Sequence, residues 1–204
     1  MNFANQLTVL RMLLIPFFIL ATLTGRTAWA LAIFLVGGLT DALDGLIARL
    51  YRQKTNLGAF LDPMADKLLL TAAFIILAMP DRPSLFPGFN LVNRIPIELT
   101  ILTISRDVLI VLIALGMNLA REQRWFPPTM LSKVNTAVQL VTVLVVLLFN
   151  TVNQVSTRVL PFCFMATLVT TLLSGLHYIW LTLRNTTAEP PARDAGRPPS
   201  TPRA

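Results

Sequence analysis

Six apolar runs, each about as long as a bilayer is thick, constrain this chain more than any other feature of its sequence. A hydrocarbon core of about 30 Å takes about 20 residues of helix. Runs of that order lie near Leu7–Leu23, Ala28–Leu50, Ala59–Met79, Ile97–Leu119, Met130–Phe149 and Arg158–Leu183, with short polar connections and no internal repeat. They predict an all-α integral membrane protein with six transmembrane helices. Composition agrees, since 54% hydrophobic and 13% charged residues with a mean hydropathy of +0.66 are not soluble-protein values. The 204 residues fit one membrane domain, residues 1–183. A polar, Pro-rich stretch follows, residues 184–204, and its composition predicts a disordered cytosolic tail.

The formal charge of +7 does not imply nucleic acid, because the basic residues are scattered among apolar runs and form no stripe with aromatics between them. Anionic lipid headgroups are the better match. Orientation follows from Lys and Arg on alternate sides. One side carries ten: Arg49, Arg52, Lys54, Arg121, Arg124, Lys133, Arg184, Arg193, Arg197 and Arg203; the other carries four: Arg26, Arg82, Arg94 and Arg158. The richer side is cytoplasmic, so a multi-pass protein of the cell (inner) membrane is expected, with both termini and the Leu50–Leu57 connection in the cytosol. Ala28-Trp29-Ala30 after the first run imitates a signal-peptidase site. No basic residue precedes Arg11, however, and Arg11 and Pro16 suit a retained helix. Cys163, the single cysteine, reads as a small core hydrophobe. The loop PDRPSLFPGFNLVNRIP reads as an interfacial cap, and His177 beside Tyr178 and Trp180 as part of an aromatic belt.

Within this apolar background stand four carboxylates, Asp41, Asp44, Asp62 and Asp66, out of ten Asp and Glu in all. Ionised groups in a membrane are costly, so they mark functional sites. Asp41 and Asp44 are i and i+3, and Asp62 and Asp66 are i and i+4, so each pair shares a helix face. Arg49 and Lys67 alone cannot balance four acids. An all-carboxylate set without His or Cys suits a hard divalent ion, Mg²⁺ or Mn²⁺. Asp62-Pro63 reads as a helix start, with Asp capping and Pro at the first position. Gly45 and Gly58 allow close approach of a nucleotide or of helix backbones, and Gly58 also suits a turn after Asn56.

The same residues spell D-x-x-D-G-x-x-A-R, then eight residues, then G-x-x-x-D-x-x-x-D: Asp41, Asp44, Gly45, Ala48, Arg49, Gly58, Asp62 and Asp66. This resembles the signature of the CDP-alcohol phosphatidyltransferases with no position missing, and the resemblance runs from about Asn5 to Leu183. It implies a six-helix membrane enzyme, usually a homodimer, that moves a phosphatidyl group from CDP-diacylglycerol to an alcohol and releases CMP. By that resemblance Asp41, Asp44, Asp62 and Asp66 are ligands of two divalent ions, and Asp66 is also the base that takes the acceptor's proton. Donor binding falls to Asp41, Asp44, Gly45, Ala48, Arg49 and Gly58, with Arg49 suited to the diphosphate.

Further cations lie inside apolar runs. Arg11, Arg106 beside Asp107, and Lys133 cannot all be snorkelling anchors, because Arg106 sits near the middle of its run. If they converge they form an anion pocket for a phosphate-bearing acceptor, with Lys67 and Asn135 as further candidates; otherwise Arg106 simply pairs with Asp107 or Glu98. The runs around Arg106 and Lys133 resemble cardiolipin synthases of the phosphatidyltransferase type, which use phosphatidylglycerol. Phosphatidylglycerophosphate synthases, which use glycerol 3-phosphate, are similar too. Those enzymes commonly carry a second basic residue where Asn135 stands and Arg-Glu where Arg106-Asp107 stands. A phosphomonoester carries about one more negative charge than a diester, so the neutral Asn135 points to phosphatidylglycerol. A divalent-cation transporter would distribute its acids along a crossing path; here they cluster at one face.

Overall fold

The computed structural model describes residues 3–51, 56–81, 84–119 and 130–187, with side-chain surroundings for 10–40, 67–81, 84–113, 130–181 and 183. Among the described residues six helices follow one another: α1 (Phe3–Leu23), α2 (Thr27–Tyr51), α3 (Asn56–Ala78), α4 (Ile97–Leu119), α5 (Met130–Thr151) and α6 (Val159–Thr187). No strand occurs among the described residues. The apolar runs of the sequence therefore become helices one for one, as expected of backbone that must satisfy its own hydrogen bonds in lipid. Among the described residues two stretches, Met130–Thr151 and Val159–Leu181, are long and apolar enough to cross a membrane by length and composition.

The largest differences from the sequence expectation are at the starts of α1 and α3 and the end of α6, with α1 opening at Phe3 ahead of the expected Leu7. Helix α3 opens at Asn56, so Asp62 and Pro63 lie inside it and do not start it. A proline in a membrane helix frees one backbone acceptor, which neighbouring groups can satisfy, so a cap-like dipeptide need not be a boundary. For the same reason Gly58 falls in the first turn of α3 and not in a loop turn. Helix α6 runs to Thr187, past the expected boundary at Leu183. The remainder of the expected tail, 188–204, lies outside the described residues.

The core joins α1, α2, α3 and α5 through Phe18, Phe34, Phe74, Leu77, Val143 and Leu147, all buried. Phe18 and Phe34 rings meet at 5.9 Å between centroids, a separation at which tilted aromatic pairs attract. Outward, the helices present Leu13, Phe17 and Leu20 on α1, Ile101 and Leu112 on α4, and Phe162 and Leu176 on α6, each more than half exposed. Apolar surface on that scale suits lipid and not water. Threonines on these helices hydrogen-bond back into their own backbone: Thr22 to the Phe18 carbonyl (2.9 Å), Thr40 to Val36 (2.9 Å), Thr151 to Leu147 (2.8 Å) and Thr170 to Ala166 (2.9 Å).

At the end of the bundle away from the aspartates, the turn between α1 and α2 touches the loop between α3 and α4 backbone to backbone. Gly25 has φ 72°, in the left-handed region that favours glycine, and a Cβ there would collide with the Gly88 carbonyl oxygen. Gly25→Ala is expected to lower stability by about 2–4 kcal/mol, from strain and overpacking together; thermal unfolding in detergent checks it. The α3–α4 loop, which the sequence presents as an interfacial cap, is anchored in the bundle. Phe89, Leu91 and Ile95 are buried. The Asn93 N–H donates to Asn150 Oδ1 (2.9 Å), and Asn150 Nδ2 donates to the Asn93 carbonyl (2.8 Å) and to that of Val146 (2.8 Å). Asn93 Nδ2 in turn donates to the Gln154 carbonyl at 2.7 Å.

Candidate active site

Helix α2 continues through Asp41 and Asp44 to Tyr51, and α3 carries Asp62 and Asp66 within its first three turns. Only residues 52–55 separate the two helices, and α2 and α3 pack together. Both aspartate pairs therefore belong to one end of the bundle. Continuous helix across them confirms the i, i+3 and i, i+4 relationships, which place side-chain origins about 5–6 Å apart on a common face. The side chains of Asp41, Asp44, Gly45, Ala48, Arg49, Gly58, Asp62 and Asp66 lie outside the described residues, and so does any metal cluster they form.

Immediately beyond Asp66 a charged cluster links four helices. Arg106, on α4, is buried. Its Nη1 donates to Asp107 Oδ1 at 2.6 Å, and its Nη2 donates to Ser132 Oγ of α5 at 2.8 Å and to Ser174 Oγ of α6. The stem of Arg106 passes over Gly175. Lys67 Nζ lies 3.5 Å from the same Asp107 Oδ1. Of the two simple partners the sequence offers Arg106, Asp107 is used, whereas Glu98 is exposed in the first turn of α4. Arg106 is thus both charge-paired and a tie between α4, α5 and α6. Hydrogen bonds between charged and neutral groups of this kind are worth more than neutral ones, about 1.5–3 kcal/mol each.

Asn135 is fully buried one turn from Ser132 and accepts the Thr171 hydroxyl at 2.9 Å. Its Nδ2 has no partner among the described residues. Lys67, Arg106 and Asn135 are therefore brought to one region. Lys133, by contrast, is exposed, and Arg11 is buried on α1, which packs on α2 and α3.

Sequence reasoning missed the seam in which this cluster sits. Ser132, Asn135, Gln139 and Thr142 on α5 face Thr167, Thr171 and Ser174 on α6, all but Ser132 buried; Thr142 and Thr167 share a 2.8 Å hydrogen bond. Polar residues at three- and four-residue intervals inside apolar runs were the available signal, since that spacing makes one helix face. His177 stacks on Trp180 at 6.1 Å between centroids, in keeping with an aromatic belt. A void of about 10 Å³ among Phe34, Gly38, Leu69, Leu70, Thr136 and Leu140 is too small for any substrate.

With two pairs of helix-borne aspartates at one end of a six-helix apolar bundle, the family comparison is decisive: the sequence pattern described as CDP-alcohol phosphatidyltransferase matches residues 1–181. The chain belongs to this family. Among individual members, the rat protein named cardiolipin synthase (CMP-forming) is 35% identical over 168 residues, covering 73% of this chain and 52% of the rat protein. The chain thus spans about half the length of that relative. A Mycobacterium tuberculosis H37Rv protein named probable phosphatidylglycerophosphate synthase is 31% identical over 193 residues, 90% of this chain and 83% of the relative. The Escherichia coli K12 protein named CDP-diacylglycerol–glycerol-3-phosphate 3-phosphatidyltransferase is 44% identical over 78 residues, 37% of this chain and 43% of its own. Membership of the CDP-alcohol phosphatidyltransferase family is thereby shared with relatives named cardiolipin synthase and phosphatidylglycerophosphate synthase.

Proposed function

We propose that this membrane protein transfers a phosphatidyl group from CDP-diacylglycerol to phosphatidylglycerol, forming cardiolipin and releasing CMP. The observation that carries the transferase reading is the pair of two-aspartate faces at the joined ends of α2 and α3 in a chain of this family. The donor set fits a hard divalent ion, being four carboxylates on two adjacent helices without His or Cys. Asp41, Asp44, Asp62 and Asp66 would hold two Mg²⁺ or Mn²⁺ ions, which supply charge neutralisation at the donor's pyrophosphate. Gly45, Ala48 and Gly58 leave room for the nucleotide, and Arg49 pairs with the diphosphate. Asp66 accepts the proton of the acceptor hydroxyl as its oxygen bonds to phosphorus and the bond to CMP breaks. Lys67 and Arg106 meet the acceptor's phosphate. The active site and both termini face the cytosol, as the ten-to-four distribution of Lys and Arg indicates, and the working assembly is a homodimer in the inner membrane.

For the acceptor, the supporting observation is Asn135, a neutral side chain fully buried one turn from the Ser132 that Arg106 holds. One cation fewer there matches one negative charge fewer on a diester. The relative named probable phosphatidylglycerophosphate synthase, of which the chain covers 83%, favours glycerol 3-phosphate as the second reading. Purified protein given CDP-diacylglycerol, Mn²⁺ or Mg²⁺, and labelled phosphatidylglycerol or labelled glycerol 3-phosphate in parallel decides between them. Cardiolipin with CMP supports the proposal, and phosphatidylglycerophosphate with CMP moves it to the second reading. Absence of CMP with every acceptor alcohol reopens the cation-transporter reading. Asn135→Lys is expected to raise the use of glycerol 3-phosphate relative to phosphatidylglycerol by about tenfold, the worth of one nearby charge in a partly screened site. An unchanged ratio removes the acceptor argument.

A further inference from the structure

We infer that Gln139 and Thr103 complete a cup of hydrogen-bond donors that holds the phosphate group of the acceptor beside Arg106. The inference rests on the phosphatidyltransferase reading above and concerns two residues to which that reading gives no role. Four buried polar atoms on α4 and α5 have no hydrogen-bond partner among the described residues: Thr103 Oγ1, Arg106 Nε, Asn135 Nδ2 and Gln139 Nε2. Thr103 is 4% exposed, Arg106 5%, Asn135 0% and Gln139 1%, so bulk water does not pair them. A dry, unpaired group of this kind costs stability, and a ligand that supplies the missing partner regains it.

Helix geometry brings the four together. Thr103 and Arg106 are i and i+3 on α4, and Asn135 and Gln139 are i and i+4 on α5, so each pair shares a face. A long side chain leans toward the N-terminus of its helix, which carries the Gln139 amide back toward the level of Asn135 and the Arg106 guanidinium toward that of Thr103. Arg106 sets the two faces against one another, since its Nη2 donates at 2.8 Å to Ser132 of α5, one turn from Asn135. Among the described residues the backbones of α4 and α5 do not pack together, each packing on α3 and α6, so side chains alone occupy the space between them.

The chemistry of the set selects its ligand. Arg106 Nε, Asn135 Nδ2 and Gln139 Nε2 donate and cannot accept, and the Thr103 hydroxyl can donate as well. Water or a polyol hydroxyl would bring hydrogens of its own to a ring of hydrogens, whereas phosphate oxygens are strong acceptors. Arg106 has Nη1 engaged by Asp107 and Nη2 by two serines, so Nε is the donor it keeps for a ligand. Thr171 donates to Asn135 Oδ1 at 2.9 Å, which leaves the amide nitrogen as the free end. Thr103 also departs from Thr22, Thr40 and Thr170, whose hydroxyls bond to their own helices. A lipid phosphodiester and a small phosphomonoester both present the unesterified oxygens that such a cup holds.

The test uses the full-length protein in detergent, with CMP release measured against titrated phosphatidylglycerol and titrated glycerol 3-phosphate, and Tm measured without substrate. CMP release with one acceptor and not the other identifies the source of the phosphate. Gln139→Met and Thr103→Val nearly conserve volume and remove the donors. Each is expected to raise the KM of the acceptor that the parent uses by at least about tenfold, the worth of one hydrogen bond to a charged group, without changing that of CDP-diacylglycerol. Each is also expected to leave Tm no lower than the parent's, because it removes an unpaired buried group; a residue that merely ties helices together would lower Tm and leave the acceptor's KM alone. Thr103→Val keeps the inference testable if Gln139→Met fails to fold. An unchanged acceptor KM, or a rise shared by CDP-diacylglycerol, overturns the inference while leaving the transferase reading intact. Absence of CMP from the parent protein with either acceptor overturns both.

Discussion

Asp66→Asn is expected to abolish CMP release, with kcat falling by at least about 10³-fold, while the protein still inserts and purifies as the parent does. Two losses combine in this one substitution. A positioned general base contributes about 10²–10⁴ in rate, and an amide in place of a carboxylate also weakens a divalent-ion site by removing a charged oxygen donor. The change preserves shape, and continuous helix around residue 66 gives it no role in ending or capping that element. A turnover assay alongside size-exclusion chromatography separates chemistry from folding. Near-parental turnover would show that another group takes the acceptor's proton and would remove Asp66 from the proposed site.

A large effect on stability, equal to that of Gly25→Ala, is expected from Asn150→Ala. Its amide accepts from the Asn93 N–H and donates to the Asn93 carbonyl and to that of Val146, all at 2.8–2.9 Å and all buried. Truncation leaves two backbone groups of the α3–α4 loop without their partner in a dry setting, at about 1–3 kcal/mol each. A total of about 2–4 kcal/mol, or roughly 5–15 °C in Tm for a chain of this size, is the expected loss in a thermal unfolding experiment. CMP release at low temperature should survive, since the pair lies at the end of the bundle opposite the aspartates. A shift under about 2 °C would mean that water replaces the amide and that the loop is held by Phe89, Leu91 and Ile95 instead.

How much of this was legible beforehand depends on the length scale of the signal. Helix positions were, because a bilayer demands apolar runs of nearly fixed length; both ends of α4 fall where its run begins and stops. The start of α3 was not, since Asp62-Pro63 satisfies the local chemistry of a cap, and local chemistry cannot reveal that helix already exists upstream at Asn56. The aspartates stood out because charge is scarce in the apolar runs. The charge-sharing of Asp107 did not, because neighbours in sequence point about 100° apart on a helix, and only the reach of a long guanidinium brings Arg106 back to it. Lys67 is forty residues away from Asp107, and no local pattern announces such a contact. The seam between α5 and α6 was readable in principle from polar residues repeating at helical intervals. A single Asn or Thr in an apolar run, however, carries little weight until its counterpart on the facing helix is known.

The threonines that turn their hydroxyls onto their own preceding carbonyls have a consequence for how the surrounding lipid experiences this protein. With the oxygen committed to the backbone, what Thr40 or Thr170 offers a neighbour is its methyl group, so each behaves toward acyl chains much as valine would. A hydropathy scale charges these positions for a polarity that the folded helix never displays. Thr142 is the contrast: its hydroxyl faces Val138 and also Thr167 across the helix pair, and there a valine would leave a hydroxyl on α6 facing a methyl. The same letter in the sequence is therefore a disguise at one depth and a fastening at another.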